Sequence, residues 1–166
     1  MCEAYGVGGI MRMPGRFRIA WVDDRTITIE TDAGTQTRQL HFGGAAPAAG
    51  ERTLQGYSVA EWQGGGAGNL DVFTGRGDGP GAQRWGSLTV KTTNLRAGWL
   101  RRNGVPYSQN AVITEHFTRF THPQAGDWLV ITTIVDDPTY LLQPFATSTN
   151  LKKEPNDSKW NPTSCK

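Results

Sequence analysis

Two runs rich in β-branched and aromatic residues, 111–121 and 127–136, are separated by the turn-forming stretch 122–126, which contains Pro123 and Gly126. This pattern predicts a β-hairpin, and it constrains the chain more than any other feature. The first run carries Glu115 and His116. Successive side chains of a strand point to opposite faces, so these two diverge and cannot work as a side-by-side pair. Glu115 shares its face with Ile113 and Phe117, which predicts an inward carboxylate. Such a group needs a partner, and the candidates are Arg38, Arg119 or a ligand. His116 shares its face with Thr114 and Thr118.

The same period-two reading extends along the chain. Strands are expected at 17–22, 26–30, 35–42, 54–62, 84–93 and 140–149, the last interrupted or begun by Pro144. Residues 1–16 read as an extended lead-in with turns, 43–50 as a loop and 63–83 as a long glycine-rich connection. Residues 94–108 read as an excursion anchored by Trp99 and Leu100. With 21 Gly, 9 Pro and no apolar period of helical length, the chain does not read as a helical bundle. One domain over 1–166 is expected, all-β and about eight-stranded, an antiparallel barrel or highly curved sheet of lipocalin-like type. A two-sheet sandwich is the alternative.

Charge narrows the partners. The formal net charge is +2, from 17 Lys and Arg against 15 Asp and Glu. The only basic pairs are Arg101-Arg102 and Lys152-Lys153, too little for a nucleic-acid or anionic-membrane surface. No apolar run approaches the roughly 20 residues needed to span a bilayer, so neither a transmembrane helix nor a signal peptide is expected. Cys2 and Cys165 lack the spacing of a zinc or redox motif. If bridged, they would close nearly the whole chain and add about 2–5 kcal/mol. That state implies a periplasmic or secreted protein, and two free thiols imply a cytoplasmic one.

Four ordered segments, 84–95, 99–108, 112–120 and 134–140, resemble a widespread, largely uncharacterised group of small bacterial proteins, usually exported. In these a strand of the form R-W-E-G-D-T-L-V-V-E-T precedes W-L-D-x-x-G-x-P-H-S, T-E-R-F and D-D-P-x-x-Y-T-x-P-W. The resemblance spans roughly 56–145 and weakens toward both ends, where members tend to have an early and a late cysteine. It implies kinship and no particular activity. This chain departs from the pattern with Tyr107 at the usual histidine, His116 at the arginine of T-E-R-F, Lys91 at a glutamate and Phe145 near the tryptophan.

Among the side chains able to carry chemistry, Glu115 is the candidate acid or base, because a carboxylate held in an apolar interior can exchange a proton with a substrate. His41 or His116 would be its complement, and Tyr107 would bind a ligand oxygen. The activity expected from this set is that of a lyase, isomerase or cyclase. It would act without cofactor or metal, by proton transfer on a small apolar or aromatic oxygenated molecule. The alternative is a non-catalytic, lipocalin-like carrier of a small hydrophobic ligand, and a homodimer is compatible with either. Each residue also has a structural reading: a Glu–Arg pair for Glu115, a solvated His41, a packing Tyr107, a surface His122 and a turn cap for Asp137.

Overall fold

The computed structural model describes residues 5–48, 50–63, 87–101 and 104–164. The glycine-rich connection at 64–83, the start of the strand expected at 84 and the Cys2 and Cys165 pair lie outside the described residues. The main sheet contains β1 (Phe17–Asp23), β2 (Thr26–Thr31), β4 (Thr37–Phe42), β5 (Tyr57–Gln63) and β6 (Ser87–Thr93). It is completed by β9 (Val112–His122), β10 (Gly126–Asp136) and β11 (Phe145–Lys152). These pair in the order β1-β2-β4-β5-β6-β9-β10-β11, an eight-stranded, strongly curled half-barrel. Two short ribbons accompany it: β3 (Ala33–Gly34) with β12 (Thr163–Ser164), and β7 (Gly98–Arg101) with β8 (Val105–Tyr107).

The 111–137 hairpin forms as expected, with Ile131 opposite Phe117 and Thr133 opposite Glu115. Gly126 takes the left-handed backbone (φ 81°) that a three-residue hairpin loop requires. His122 lies in this turn, where its Nδ1 accepts from Gln124 N and Ala125 N at 3.2 and 3.1 Å.

Three expectations need correction. The sheet is not antiparallel throughout, because β4 and β5 run parallel, with Leu40 opposite Ser58. The connection at 43–56, which leaves β4 through Gly43 and Gly44 (φ 77° and 81°), has the dozen or so residues that a parallel return needs. The barrel is also not closed by strand pairing: among the described residues β1 and β11 are the two edges of the sheet. The lead-in, finally, is not merely extended. It contains α1 (Val7–Ile10), every residue of which is buried. Four residues are too few to produce a helical period, so tertiary packing forms this turn of helix.

The inward face is set by register. Ile27, Ile29, Leu40, Ala60, Leu88, Val90, Phe117 and Ile131 form one apolar cluster, into which Ile10 and Met11 pack. Val7, Leu95, Leu100, Tyr107, Ala111, Ile113 and Val135 form a second. The N-terminal segment thus contributes to both clusters. The C-terminal tail is fastened near β1 by Arg18, which pairs with Asp157 at 2.9 Å and lies 4.1 Å over the Trp160 ring, and by Thr163 N donating to Asp32 O. No helix among the described residues is long and apolar enough to cross a membrane.

Candidate functional site

A polar layer lies on the inward face among residues of the two apolar clusters. Arg38 on β4, Ser58 on β5, Thr92 on β6, Glu115 on β9 and Thr133 on β10 are all buried. Their positions follow from alternation, since Ser58 faces Thr92 and Thr133 faces Glu115 across strands whose inward neighbours are apolar. Arg38 and Glu115, exposed by 1% and 0%, form an ion pair through Nη2 and Oε2. Arg38 is therefore the partner that Glu115 requires. The guanidinium also donates from Nε and Nη2 to Ser58 Oγ (3.2 and 3.1 Å) and from Nη2 to Thr92 Oγ1 (3.0 Å), while the two hydroxyls lie 2.8 Å apart. One donor and one acceptor have no protein partner: Arg38 Nη1 and Glu115 Oε1.

Both candidate histidines are on the other side of the sheet. His116 is half-buried on the outer face, its Nδ1 lying 3.1 Å from Thr89 Oγ1. His41 stacks on Tyr57 with ring centroids 4.6 Å apart. The structure does not bring either one to Glu115, and the sheet stands between them.

Tyr107 takes the packing role. Its side chain is fully buried in the second cluster, its hydroxyl has no partner, and burial pushes its pKa up to about 12. Glycines make room for it, since a Cβ at Gly6 would stand 1.9 Å from the Tyr107 hydroxyl oxygen and one at Gly98 2.7 Å. An unpartnered hydroxyl in an apolar cluster is a net cost, so Tyr107→Phe should leave stability unchanged or raise it by up to about 1–2 kcal/mol. Urea unfolding of the two proteins tests this, and a clear loss of stability would mean that the hydroxyl has a partner in solution.

Beside Tyr107, Asp137 is a buried clasp. Its carboxylate accepts from Ser108 N (2.6 Å), Ser108 Oγ (2.7 Å) and Thr139 N (3.0 Å). Asp137 thus caps its turn, and it also ties the residue that follows β8 to the end of β10.

The inward face opens at one rim. Trp21 at the end of β1 lies 5.0 Å from the Phe42 ring, and Phe42 stacks on Trp62 at 5.9 Å. Register assigns all three to the core side of the sheet, because Trp21 is opposite Ile27, Phe42 opposite Ala60 and Trp62 opposite Leu88. Even so, Trp21 is 54% and Trp62 53% exposed. At the Trp21 end lies a solvent-open concavity of about 430 Å³, lined by Trp21, Val22, Asp23 and Asp24. The Arg25 N–H donates to Asp23 Oδ1 at 2.8 Å and holds that carboxyl below its ordinary range, so Asp23 is anionic at neutral pH. Nothing in the local sequence marked Trp21, Phe42 and Trp62 as a unit. Period two puts Trp21 on the face of Phe17 and Ile19, but its stacking partners come from strands further along the chain.

Among the described residues no three His, Cys, Asp or Glu side chains cluster in a way that could hold a metal ion. The chain matches no family model, no curated protein and no solved structure. Fold and site together describe a class: a curled all-β half-barrel with a buried ion pair on its inward face and an aromatic rim.

Proposed function

We propose that this protein is a non-catalytic, lipocalin-like binder of a small, largely apolar molecule, held against the Trp21–Phe42–Trp62 rim. The observation that carries the reading is a run of inward-facing aromatic rings, with Trp21 and Trp62 half exposed, whose Trp21 end lines a concavity of about 430 Å³. Aromatic faces left in water at the edge of a cleft are what a small-molecule site provides, and the volume lies within the usual range of about 300–1,000 Å³. A positively charged or hydrogen-donating end of the ligand would point toward Asp23.

Titration with planar aromatic and alkyl probes, followed by tryptophan fluorescence, tests the proposal. Trp62→Ala should weaken binding at least about tenfold, the equivalent of about 1.4 kcal/mol, while Glu115→Gln leaves it unchanged. No spectral response to any probe would sink the reading.

One observation favours a second reading, proton transfer by Glu115: its Oε1 and the facing Arg38 Nη1 have no protein partner. In that case Glu115→Gln would abolish turnover of a bound ligand while binding survived. The kinship read from the four sequence segments is also a proposal. The meeting of Ser108 with Asp137, which belong to separate segments, is consistent with a shared framework.

A further inference from the structure

We infer that the free edge of β1 is the seat of a symmetric dimer, with a second copy of this chain adding its own β1 antiparallel. Asp32 N donates to Arg16 O, so with the β1–β2 register the main-chain groups of Arg16, Arg18 and Ala20 point at β2. Those of Phe17, Ile19 and Trp21 therefore point the other way. Among the described residues β1 pairs with β2 alone, so these groups meet no strand. The chemistry that satisfies a row of alternating N–H and C=O groups is another extended strand.

Edge strands are ordinarily protected by charge, yet residues 19–22 of this one are all apolar. Ile19 is 44%, Trp21 54% and Val22 63% exposed. The register irregularity between Trp21 and Asp23 ends the regular edge, which leaves the stretch 17–21 for pairing. A two-fold axis at Ile19 uses that whole stretch. It sets Ile19 against its own copy and Phe17 against the partner's Trp21, so both aromatic pairs form at once. Polarity agrees: the strand runs from Arg16 and Arg18, which also pair with Asp32 and Asp157 of their own chain, to Asp23 and Asp24, and an antiparallel copy brings each basic end beside an acidic one. Neither Asp23 nor Asp24 has a lysine or arginine side chain within ion-pair distance among the described residues. The tail contacts Arg18 through its side chain, and among the described residues no backbone bond outside the β1–β2 ladder engages Phe17, Ile19 or Trp21.

Sedimentation equilibrium of the full chain at about 1–100 µM, the range expected for a small interface, tests this directly. The wild-type protein should convert to dimer over that range. Ile19→Pro removes an N–H that faces away from β2, so it should keep the fold and weaken dimerisation at least about tenfold. If that variant does not fold, Ile19→Lys serves the same purpose. Ile19→Cys treated with oxidised glutathione should give a cross-linked dimer, identified by peptide mass as a 19–19 link, and Ala20→Cys, which points to the opposite face, should not. A wild-type chain monomeric at about 100 µM overturns the inference. So does a dimer indifferent to both Ile19 substitutions, or open-ended assembly in place of a closed dimer.

Discussion

Arg38→Met should destabilise this domain by about 3–5 kcal/mol, because it leaves the Glu115 carboxylate buried without its counterion. Total stabilities of such domains are about 5–15 kcal/mol, so the single variant will be marginal. The companion change is what makes the experiment decisive. In Arg38→Met/Glu115→Leu both charges are replaced by apolar groups of similar size, and the remaining hydroxyls of Ser58 and Thr92 still have each other at 2.8 Å. Stability should return to the wild-type value or exceed it by about 1–4 kcal/mol, since taking two charges out of water offsets much of their mutual attraction. Urea unfolding of wild type, both single variants and the double variant gives the coupling directly. Additive effects would show that Arg38 and Glu115 do not act as a pair, and a double variant that keeps the probe binding proposed for the rim would separate the ion pair from that proposed site.

Asp137→Ala should cost about 3 kcal/mol at neutral pH, because three donors that now meet one carboxylate would lose their acceptor. The expected pH dependence follows from the direction of the pKa shift. Burial alone would raise the Asp137 carboxyl, but the bonds from the Ser108 backbone and hydroxyl and from Thr139 outweigh it and hold the pKa below the ordinary 3.8. A carboxyl depressed in the folded state contributes stability that is complete above the unfolded value and lost as pH falls through the folded one. The gap between wild type and Asp137→Ala should therefore be constant from neutrality down to about pH 5 and shrink steadily below pH 4. A gap that stayed constant to pH 2.5 would mean that the carboxylate charge contributes nothing. Asp32, held low in the same manner by Arg16, would titrate in both proteins and cancel in the difference.

How legible the molecule was from its residues depends on the range of the forces involved. Strand identity is local: alternation at Thr26–Thr31 or Val112–His122 specifies which side chains share a face, and those strands form where expected. The same parity shows that Glu115 is inward and parted from His116, and it requires a buried cation, which Arg38 supplies. The parallel joining of β4 to β5 was not legible, because the residues at 43–56 permit a return in either direction and only the assembled sheet selects one. The burial of Val7–Ile10 was also hidden. A Gly-rich stretch carries little pattern, and it is held by the cavity it fills, with Gly6 and Gly8 shaped to Tyr107 and Leu100. The rim was hidden for a related reason, since Trp21, Phe42 and Trp62 become neighbours only through three strand pairings.

The sequence by itself determined the all-β class, the eight strands of the main sheet and the inward carboxylate, because a period of two and the cost of burying an unpaired charge are properties of short segments. Tertiary structure alone decided that β1 and β11 are the edges of the sheet among the described residues, that α1 packs on its inward face and that the histidines lie across the sheet from Glu115. These depend on strand order and curl, which arise from contacts between residues far apart in the chain and leave no trace in local spacing.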